Sequence, residues 1–227
     1  MVEILLIRHG ETAWNAEKRM QGHLDISLNA AGLRQAAALG AALRDEPLDA
    51  IISSDLQRAL QTAQAVAPGR NLVVGTDAGL RERCFGAFEG LLYADLATAQ
   101  PEAFRAWKAR ELDARYPPGV NQAETLREFS ARVLATIDRL AGSGAFRKIA
   151  LVTHGGVLEC AYRAATGTSL QSARDFDILN ASVNRLHWTP AGMQVAAWGD
   201  VRHLQEGPLA EPLADRPAAG VLDEIDR

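Results

Sequence analysis

The sequence contains very little cysteine and no long apolar run. Cys84 and Cys160 are its two cysteines, too few for a disulfide framework, and they fit a reducing compartment. Residues 1–7 lack the basic and long apolar regions of a signal peptide. They are also far too short to cross a bilayer, which takes about 20 residues. These absences predict a cytoplasmic protein without a membrane partner.

Basic charge is also in short supply. The 24 lysines and arginines are outnumbered by 28 acidic residues, which gives a formal net charge of −4. A general nucleic-acid binder needs a basic surface to displace phosphate counterions, so this class of protein is excluded. A small anionic substrate is still compatible, because a few arginines in a cleft set the local field.

Short apolar runs alternate with segments of helical spacing along most of the chain. The predicted strands are residues 4–7, 50–52, 72–74, 148–152, 183–188 and 194–198, the last two forming a hairpin. The first predicted helix is the alanine-rich stretch that follows residues 29–32 and ends near residue 43. The others cover 56–66, with a cap from residues 53–55, then 91–115 with a restart at Pro101, and 124–140, and a last helix is opened by residues 153–156. This alternation predicts an α/β fold with a mostly parallel sheet covered on both faces.

The same pattern suggests a single domain followed by a tail. We assign residues 1–206 to one domain, with a helical insertion at about 91–119. Residues 207–227 are rich in proline, alanine and acids, so they are predicted to form a flexible C-terminal tail.

Two histidines directly follow predicted strands. His9 lies in Arg8-His9-Gly10 after the first strand, and His154 lies in Thr153-His154-Gly155 after the fourth. Arg58 lies in the helix that follows the second strand. Ligands of α/β sheets bind beyond the carboxyl ends of the strands, so these side chains are expected to meet at one edge.

Such a set of residues suits phosphoryl chemistry. Arginine presents a fork of donors that matches phosphoryl oxygens, so Arg8, Arg58 and a protonated His154 are predicted to hold a dianion. A ring nitrogen of His9 can then attack phosphorus and form a covalent intermediate. Glu82, after the third strand, is the candidate general acid, because a nearby dianion favours its protonated form.

Each residue also has an ordinary structural interpretation. A single histidine is more often a core or loop residue, and a single arginine or glutamate more often belongs to the surface. A metal site competes as well, since histidine is a common ligand. Acids near the two histidines are few, however, and two arginines would repel a divalent cation. The combination therefore favours a phosphoryl site without a metal.

The motifs resemble those of a known family. Arg8-His9-Gly10-Glu11-Thr12 with Asn15 resembles the signature of the histidine phosphatase superfamily, in its phosphoglycerate mutase-like branch. Further motifs follow in the family's order up to about Trp198: Arg-Met-Gln-Gly at 19–22, Ser-Ser-Asp-Leu-Gln-Arg-Ala at 53–59, Glu82 with Gly86 and Glu89-Gly90, and Thr-His-Gly at 153–155.

This resemblance implies a fold and a set of roles. The implied fold is a three-layer sandwich with a mixed sheet of about six strands and helices on both faces, and no metal or other cofactor is implied. His9 is the implied nucleophile, which becomes phosphohistidine, and Glu82 the implied proton donor and acceptor. The remaining implied site residues bind the phosphate or line the substrate side: Arg8, Asn15, Gln21, Gly22, Arg58, His154 and Gly155.

Three departures separate this chain from dedicated phosphoglycerate mutases. Those enzymes usually have Ser-Gly or Thr-Gly where this chain has Gln21-Gly22, and asparagine where it has Gly156. They also carry a Trp-Arg-Arg element for the substrate carboxylate, where this chain has Trp-Lys-Ala-Arg at 107–110. The chain is thus more similar to the broad-specificity and alpha-ribazole phosphatase-like members.

The resulting prediction is a phosphomonoesterase that acts on a small phosphorylated metabolite. Two alternatives stay open: a cofactor-dependent phosphoglycerate mutase, with Lys108 or Arg110 binding a carboxylate, and a catalytically idle module that binds phosphate esters. The expected partner is a small phosphate ester, and the sequence is also compatible with a homodimer.

Overall fold

A computed structural model describes residues 1–205. Its centre is one mixed sheet of six strands. The strands are β1 (Val2–Arg8), β2 (Ala50–Ser53), β3 (Val74–Thr76), β4 (Lys148–Thr153), β5 (Val183–Thr189) and β6 (Gly192–Asp200). Their order is β3-β2-β4-β1-β5-β6. The first four strands are parallel, β5 pairs antiparallel with β1, and β6 pairs antiparallel with β5. The predicted mostly parallel sheet is confirmed, and the predicted tail at 207–227 lies outside the described residues.

Helices cover both faces of this sheet. They are α1 (Ala13–Ala16), α2 (Ala30–Ala42), α3 (Gln57–Val66), α4 (Leu96–Ala99), α5 (Pro101–Lys108), α6 (Leu126–Ala141) and α7 (Gly155–Thr166). No helix among the described residues combines the length and the apolar character needed to cross a membrane.

Strand β1 separates two apolar cores. Ile4 and Leu6 are fully buried in the cluster that contains the inner faces of α6 and α7. Leu5 and Ile7 are fully buried in the opposite cluster, with α2 and α3. Because successive strand residues point to opposite faces, the continuous apolar run of β1 serves both layers. The three-layer sandwich is thereby confirmed.

Two helix starts differ from the predictions. Helix α6 begins at Leu126 rather than at residue 124, because Thr125 caps it: its side chain accepts from the Glu128 N–H, and the Glu128 carboxylate accepts from the Thr125 N–H. Helix α3 has Leu56 at its N-cap position, with no side-chain cap bond. The expected cap from residues 53–55 is therefore wrong, and a distant carboxylate, Asp25, accepts from the Gln57 N–H at 2.7 Å.

The insertion is only partly helical. Helix α5 starts at Pro101 as predicted but ends at Lys108, so the helix expected as far as residue 115 is wrong. Arg110 has a φ of +51°, a left-handed conformation that no helix continues through. Its Nε donates to the Leu170 carbonyl at 2.6 Å, which turns the chain back toward α7. The third strand is also displaced, to Val74–Thr76 from the predicted 72–74.

Candidate active site

The two motif histidines meet where neighbouring strands end. Arg8 of β1 is paired with Thr153 of β4, and the His9 N–H donates to the Thr153 carbonyl at 2.9 Å. His9 and His154, which follow these two paired residues, therefore lie at the same edge of the sheet. The His9 and His154 ring centroids lie 5.2 Å apart at an interplanar angle of 61°, and both residues are buried.

The ring of His9 has a defined hydrogen-bonding direction. Its Nδ1 lies 2.7 Å from the carbonyl oxygen of Gly10. A carbonyl can only accept, so Nδ1 carries the proton and Nε2 presents its lone pair. Burial lowers the pKa of His9 well below 6.5, and the charges of Arg58 and Arg8 lower it further. The ring is therefore neutral at neutral pH, the form that a nucleophile requires.

Arg58 is the most enclosed cation of the site, with 1% of its surface exposed. Nη1 donates to the Leu24 carbonyl at 2.9 Å, Nη2 donates to the Gly22 carbonyl at 2.7 Å, and Nε donates to His154 Nδ1 at 3.2 Å. Burial lowers the pKa of Arg58 to about 10, so the guanidinium stays charged at neutral pH. The carbonyl bonds fix its position without cancelling its charge.

His154 is held between Arg58 and Ser54. Its Nδ1 accepts from Arg58, so its other nitrogen carries the proton and donates to the Ser54 hydroxyl at 2.8 Å. Burial lowers the pKa of His154 well below 6.5, with Arg58 and His9 as further causes. In this arrangement both ring nitrogens are used by a neutral ring, and a protonated His154 stays a prediction for the site with a dianion bound.

The lowered pKa values of the buried histidines predict that acid destabilises the fold. His9, His154 and His203 each have a pKa lowered mainly by burial. Below pH about 6.5 the unfolded chain therefore binds protons that the folded chain does not. The free energy of unfolding should fall as pH drops from about 7 to about 5, by at most about 1.4 kcal/mol per pH unit for each histidine.

Urea titrations at several pH values measure this slope. A His9→Asn variant should show a shallower slope than the wild-type chain, because one proton-binding group of the unfolded state is removed. Equal slopes for the two proteins would contradict a lowered pKa at His9.

Arg8 and Gly155 lie side by side at the same edge. Nη1 of Arg8 donates to the Ile178 carbonyl at 2.7 Å, which directs the guanidinium across the end of the sheet. A Cβ atom on Gly155 would come within 3.6 Å of Arg8 Nε, so this glycine lies directly against the guanidinium. Gly155 also starts α7. The positive end of this helix therefore lies at the edge that carries His154 and Arg8, which favours an anion there.

Glu82 is fixed against the start of α7. Its carboxylate accepts from the Gly156 N–H at 3.0 Å and from the Arg83 N–H at 2.8 Å. A Cβ atom on Gly156 would lie 2.2 Å from the Glu82 carboxylate, closer than any real contact. Position 156 therefore needs glycine while Glu82 keeps this place. The ring of His23 donates to the Glu82 backbone carbonyl at 2.7 Å and holds the segment from the other side.

Asn15, Gln21 and Gly22 form the remaining wall. The Thr12 hydroxyl, which caps α1, lies 3.0 Å from both Asn15 Oδ1 and Gln21 Oε1. Gly22 has a φ of +54° and gives its carbonyl to Arg58. A Cβ there would lie 2.1 Å from the Glu89 carboxylate, so both conformation and space require glycine. All nine predicted site residues thus belong to one connected group.

A cleft of about 80 Å³ opens beside Glu82 on the side of the insertion. Its lining is mixed, with aromatic rings from Phe85, Trp107 and Phe129 and charged groups from Glu82, Arg83 and Arg110. Arg110 is held by an ion pair with Glu159 of α7. The cleft is therefore shaped for a small group that is partly apolar and partly polar.

Sequence reasoning missed three residues that support the site. Ser54 bonds to His154, Thr62 accepts from the Gly10 N–H at 3.0 Å, and Asn180 donates to the His9 carbonyl at 2.9 Å. Ser54 lay within a recognised motif but was interpreted as a helix cap. Thr62 and Asn180 carry no local signal, because only the folded chain brings them to the site.

Comparisons with known proteins give the family. Residues 4–201 match the model of the histidine phosphatase superfamily (branch 1). The chain belongs to this superfamily. It is 40% identical over 213 residues to phosphoglycerate mutase-like protein 4 of Arabidopsis thaliana, a match covering 90% of this chain and 87% of that protein.

Other members of the histidine phosphatase superfamily are similar in sequence and in structure. The metal-independent phosphoserine phosphatase of Arabidopsis thaliana is 35% identical over 208 residues, covering 90% of this chain and 84% of that protein. The alpha-ribazole phosphatase from Shigella flexneri superposes with a TM-score of 0.77 at 29% identity, covering 88% of this chain and 96% of that one. The protein is therefore an enzyme, a hydrolase of the histidine phosphatase type.

Among residues 1–205, no three histidine, cysteine or acidic side chains cluster in a way that would hold a metal ion. The site instead combines two guanidinium groups, two neutral imidazoles and one carboxylate. This set can surround a phosphoryl group with donors while leaving one nitrogen lone pair to attack it.

Proposed function

We propose that the protein is a phosphomonoesterase that hydrolyses a small phosphorylated metabolite through a phosphohistidine at His9. The observation that carries this proposal is the state of His9: a neutral ring with its proton on Nδ1, beside the buried Arg58 and the half-buried Arg8. Such a ring directs Nε2 at an electrophile, and the arginines make a phosphoryl group the electrophile that fits.

In the first step, Nε2 of His9 attacks phosphorus, and the bond between phosphorus and the ester oxygen breaks. Arg8, Arg58 and His154 hold the phosphoryl oxygens, aided by Asn15 and the Gly155 N–H. The departing oxygen takes a proton from the carboxylic acid of Glu82. Glu82 also lines the adjacent cleft, which we propose takes the alcohol portion of the ester.

In the second step, water attacks the phosphorus atom of the phosphohistidine. The ionised Glu82 takes a proton from that water, the bond between phosphorus and Nε2 breaks, and inorganic phosphate leaves. His154 has a role in both steps. A dianion beside its ring would raise its pKa again, so the imidazole gains a proton when there is charge to neutralise.

Two structural observations favour the phosphatase over the mutase. The Glu82 carboxylate lies where a side chain at position 156 would start, so the asparagine typical of mutases would require Glu82 to move from its present place. Arg110, one of the two candidates for a mutase carboxylate site, is already paired with Glu159 and the Leu170 carbonyl.

The setting proposed for this activity is the cytoplasm. Both cysteines, Cys84 and Cys160, are buried and unpaired, which suits a reducing compartment. Small phosphorylated metabolites are the proposed partners, and the relatives named above include a phosphoserine phosphatase and an alpha-ribazole phosphatase.

One assay separates phosphatase, mutase and idle binder. The protein, without added metal, is given a panel of phosphate monoesters, and separately 3-phosphoglycerate with its bisphosphate cofactor. We expect phosphate release from at least one monoester, and release from phosphoglycerate that outpaces any interconversion of its isomers. Interconversion faster than release would establish the mutase. No release from any ester, together with no phosphoryl label on His9, would establish a binding module.

A further inference from the structure

We propose that Asn180 is a positioning residue of this site, which fixes the main chain of His9 and turns the amide of Asn15 toward the phosphoryl group. The inference rests on the proposed function for its kinetic readout. It concerns a residue in the segment before β5, far in sequence from both of the residues that it contacts.

The backbone of His9 is held on both sides. Its N–H donates to the Thr153 carbonyl at 2.9 Å, and its carbonyl accepts from the Ala181 N–H at 3.2 Å. The Asn180 amide adds a second and shorter donor to the same carbonyl, at 2.9 Å. Because the ring direction of His9 follows from its backbone, these bonds limit how far Nε2 can move from the line of attack.

The same amide group also reaches Asn15. Oδ1 of Asn15 lies 3.1 Å from the Thr12 N–H, 3.0 Å from the Thr12 hydroxyl and 3.4 Å from Asn180 Nδ2. An amide whose oxygen faces two N–H donors, from Thr12 and Asn180, presents its NH₂ group on the other side. Asn180 thus helps to decide which end of the Asn15 side chain a phosphoryl oxygen meets.

Two features of this arrangement are energetically unfavourable on their own, an unpaired buried oxygen and a left-handed backbone conformation. The Oδ1 atom of Asn180 is buried without a hydrogen-bond partner, so the side chain is oriented for what its NH₂ group donates. The following residue, Ala181, is buried with a φ of +54°, in the left-handed region that non-glycine residues rarely adopt. That turn places both the Asn180 amide and the Ala181 N–H on the His9 carbonyl.

The surrounding segment touches the site at further points. The Ile178 carbonyl accepts from Arg8 Nη1 at 2.7 Å, and the Ser182 carbonyl accepts from the Arg8 N–H at 3.3 Å. Residues 178–182 therefore contact Arg8, His9 and Asn15, with Asn180 as the side chain that joins two of them.

The test is a double-mutant cycle between Asn180→Ala and Asn15→Ala. Asn180→Ala should lower kcat about 10- to 100-fold, the usual effect of removing a group that orients a site residue, while KM changes by less than about 3-fold. In the Asn15→Ala background the loss caused by Asn180→Ala should be at least about 3-fold smaller, because part of its action passes through Asn15.

Asn184→Ala is the matched control. Asn184 is also a buried asparagine. Its amide donates to the Leu6 carbonyl of β1 at 3.0 Å and to the Ser182 hydroxyl at 3.2 Å, rather than to Arg8, His9 or Asn15. It should lower the melting temperature but leave kcat and the Asn15 cycle unchanged. Equal kcat losses for Asn184→Ala and Asn180→Ala, or an Asn180 effect of the same size in both backgrounds, would overturn the proposal.

Two provisions keep the outcome clear. If Asn180→Ala does not fold, Asn180→Asp replaces it, because aspartate keeps the shape of the side chain and removes the NH₂ donor. Its kcat loss should likewise be smaller in the Asn15→Ala background. If the wild-type chain releases no phosphate, the proposed function fails, and the cycle is then measured by calorimetry with inorganic phosphate. The same coupling in phosphate affinity would still support the positioning role, and its absence would reject it.

Discussion

Replacing His9 by alanine is expected to abolish turnover, with kcat falling by roughly 10⁶-fold, as when the nucleophile of a covalent mechanism is removed. His154 does not take over, because its Nδ1 faces the Arg58 guanidinium and its other nitrogen faces Ser54. Phosphate release in steady state measures the rate, and a radiolabelled monoester quenched in acid-free denaturant measures label on the protein. Both signals should reach background.

A second histidine variant provides the control. His187 lies on β5, opposite Glu3 of β1 in the strand pairing, and His187→Ala should keep the wild-type rate and labelling. Label retained on His9→Ala at the wild-type level would mean that another residue carries the phosphoryl group, and the proposed mechanism would be wrong.

Glu82→Gln is expected to lower turnover by roughly 10²- to 10⁴-fold, the usual contribution of a general acid or base. Glutamine keeps the size of the side chain, and its one amide oxygen can still accept from one of the two N–H groups, of Arg83 and Gly156, that the carboxylate binds. The measurement is kcat for an alkyl phosphate and for an aryl phosphate such as p-nitrophenyl phosphate.

The two substrates make the role of Glu82 specific. An aryl oxide leaves without a proton, so the first step should lose much less in Glu82→Gln with the aryl ester. Burst kinetics, which separate formation of the phosphoenzyme from its hydrolysis, should show a preserved burst followed by slow turnover. An equal loss for both esters in the burst phase would remove Glu82 from the acid role.

The sequence predicted the parts of the site that are local to strand ends. Arg8-His9 and Thr153-His154 each follow a short apolar run, and parallel neighbouring strands bring such ends together whatever the rest of the chain does. Arg58 was predictable for a similar reason, since it follows β2, which pairs with β4. The mostly parallel sheet with two covered faces followed from the same alternation of strands and helices.

Features that depend on distant residues could not be predicted in this way. The cap of α3 comes from Asp25, and the end of the helical insertion follows from the bond between Arg110 and Leu170. The neutral state of His154 depends on its burial by the whole fold. Asn180 is the extreme case, because a single asparagine in a loop has no periodicity that would mark it.

The alternation of side chains along β1 has a consequence for how this chain tolerates changes in length. Deleting or inserting one residue within Val2–Arg8 would turn every side chain beyond that point to the opposite face. Leu5 and Ile7 would exchange layers with their neighbours, and the imidazole at the strand's end would be carried away from its counterpart after β4. An insertion or deletion in this strand would therefore disrupt both the packing of two layers and the placement of the nucleophile. A loop glycine such as Gly69, with open space around it, is under neither constraint.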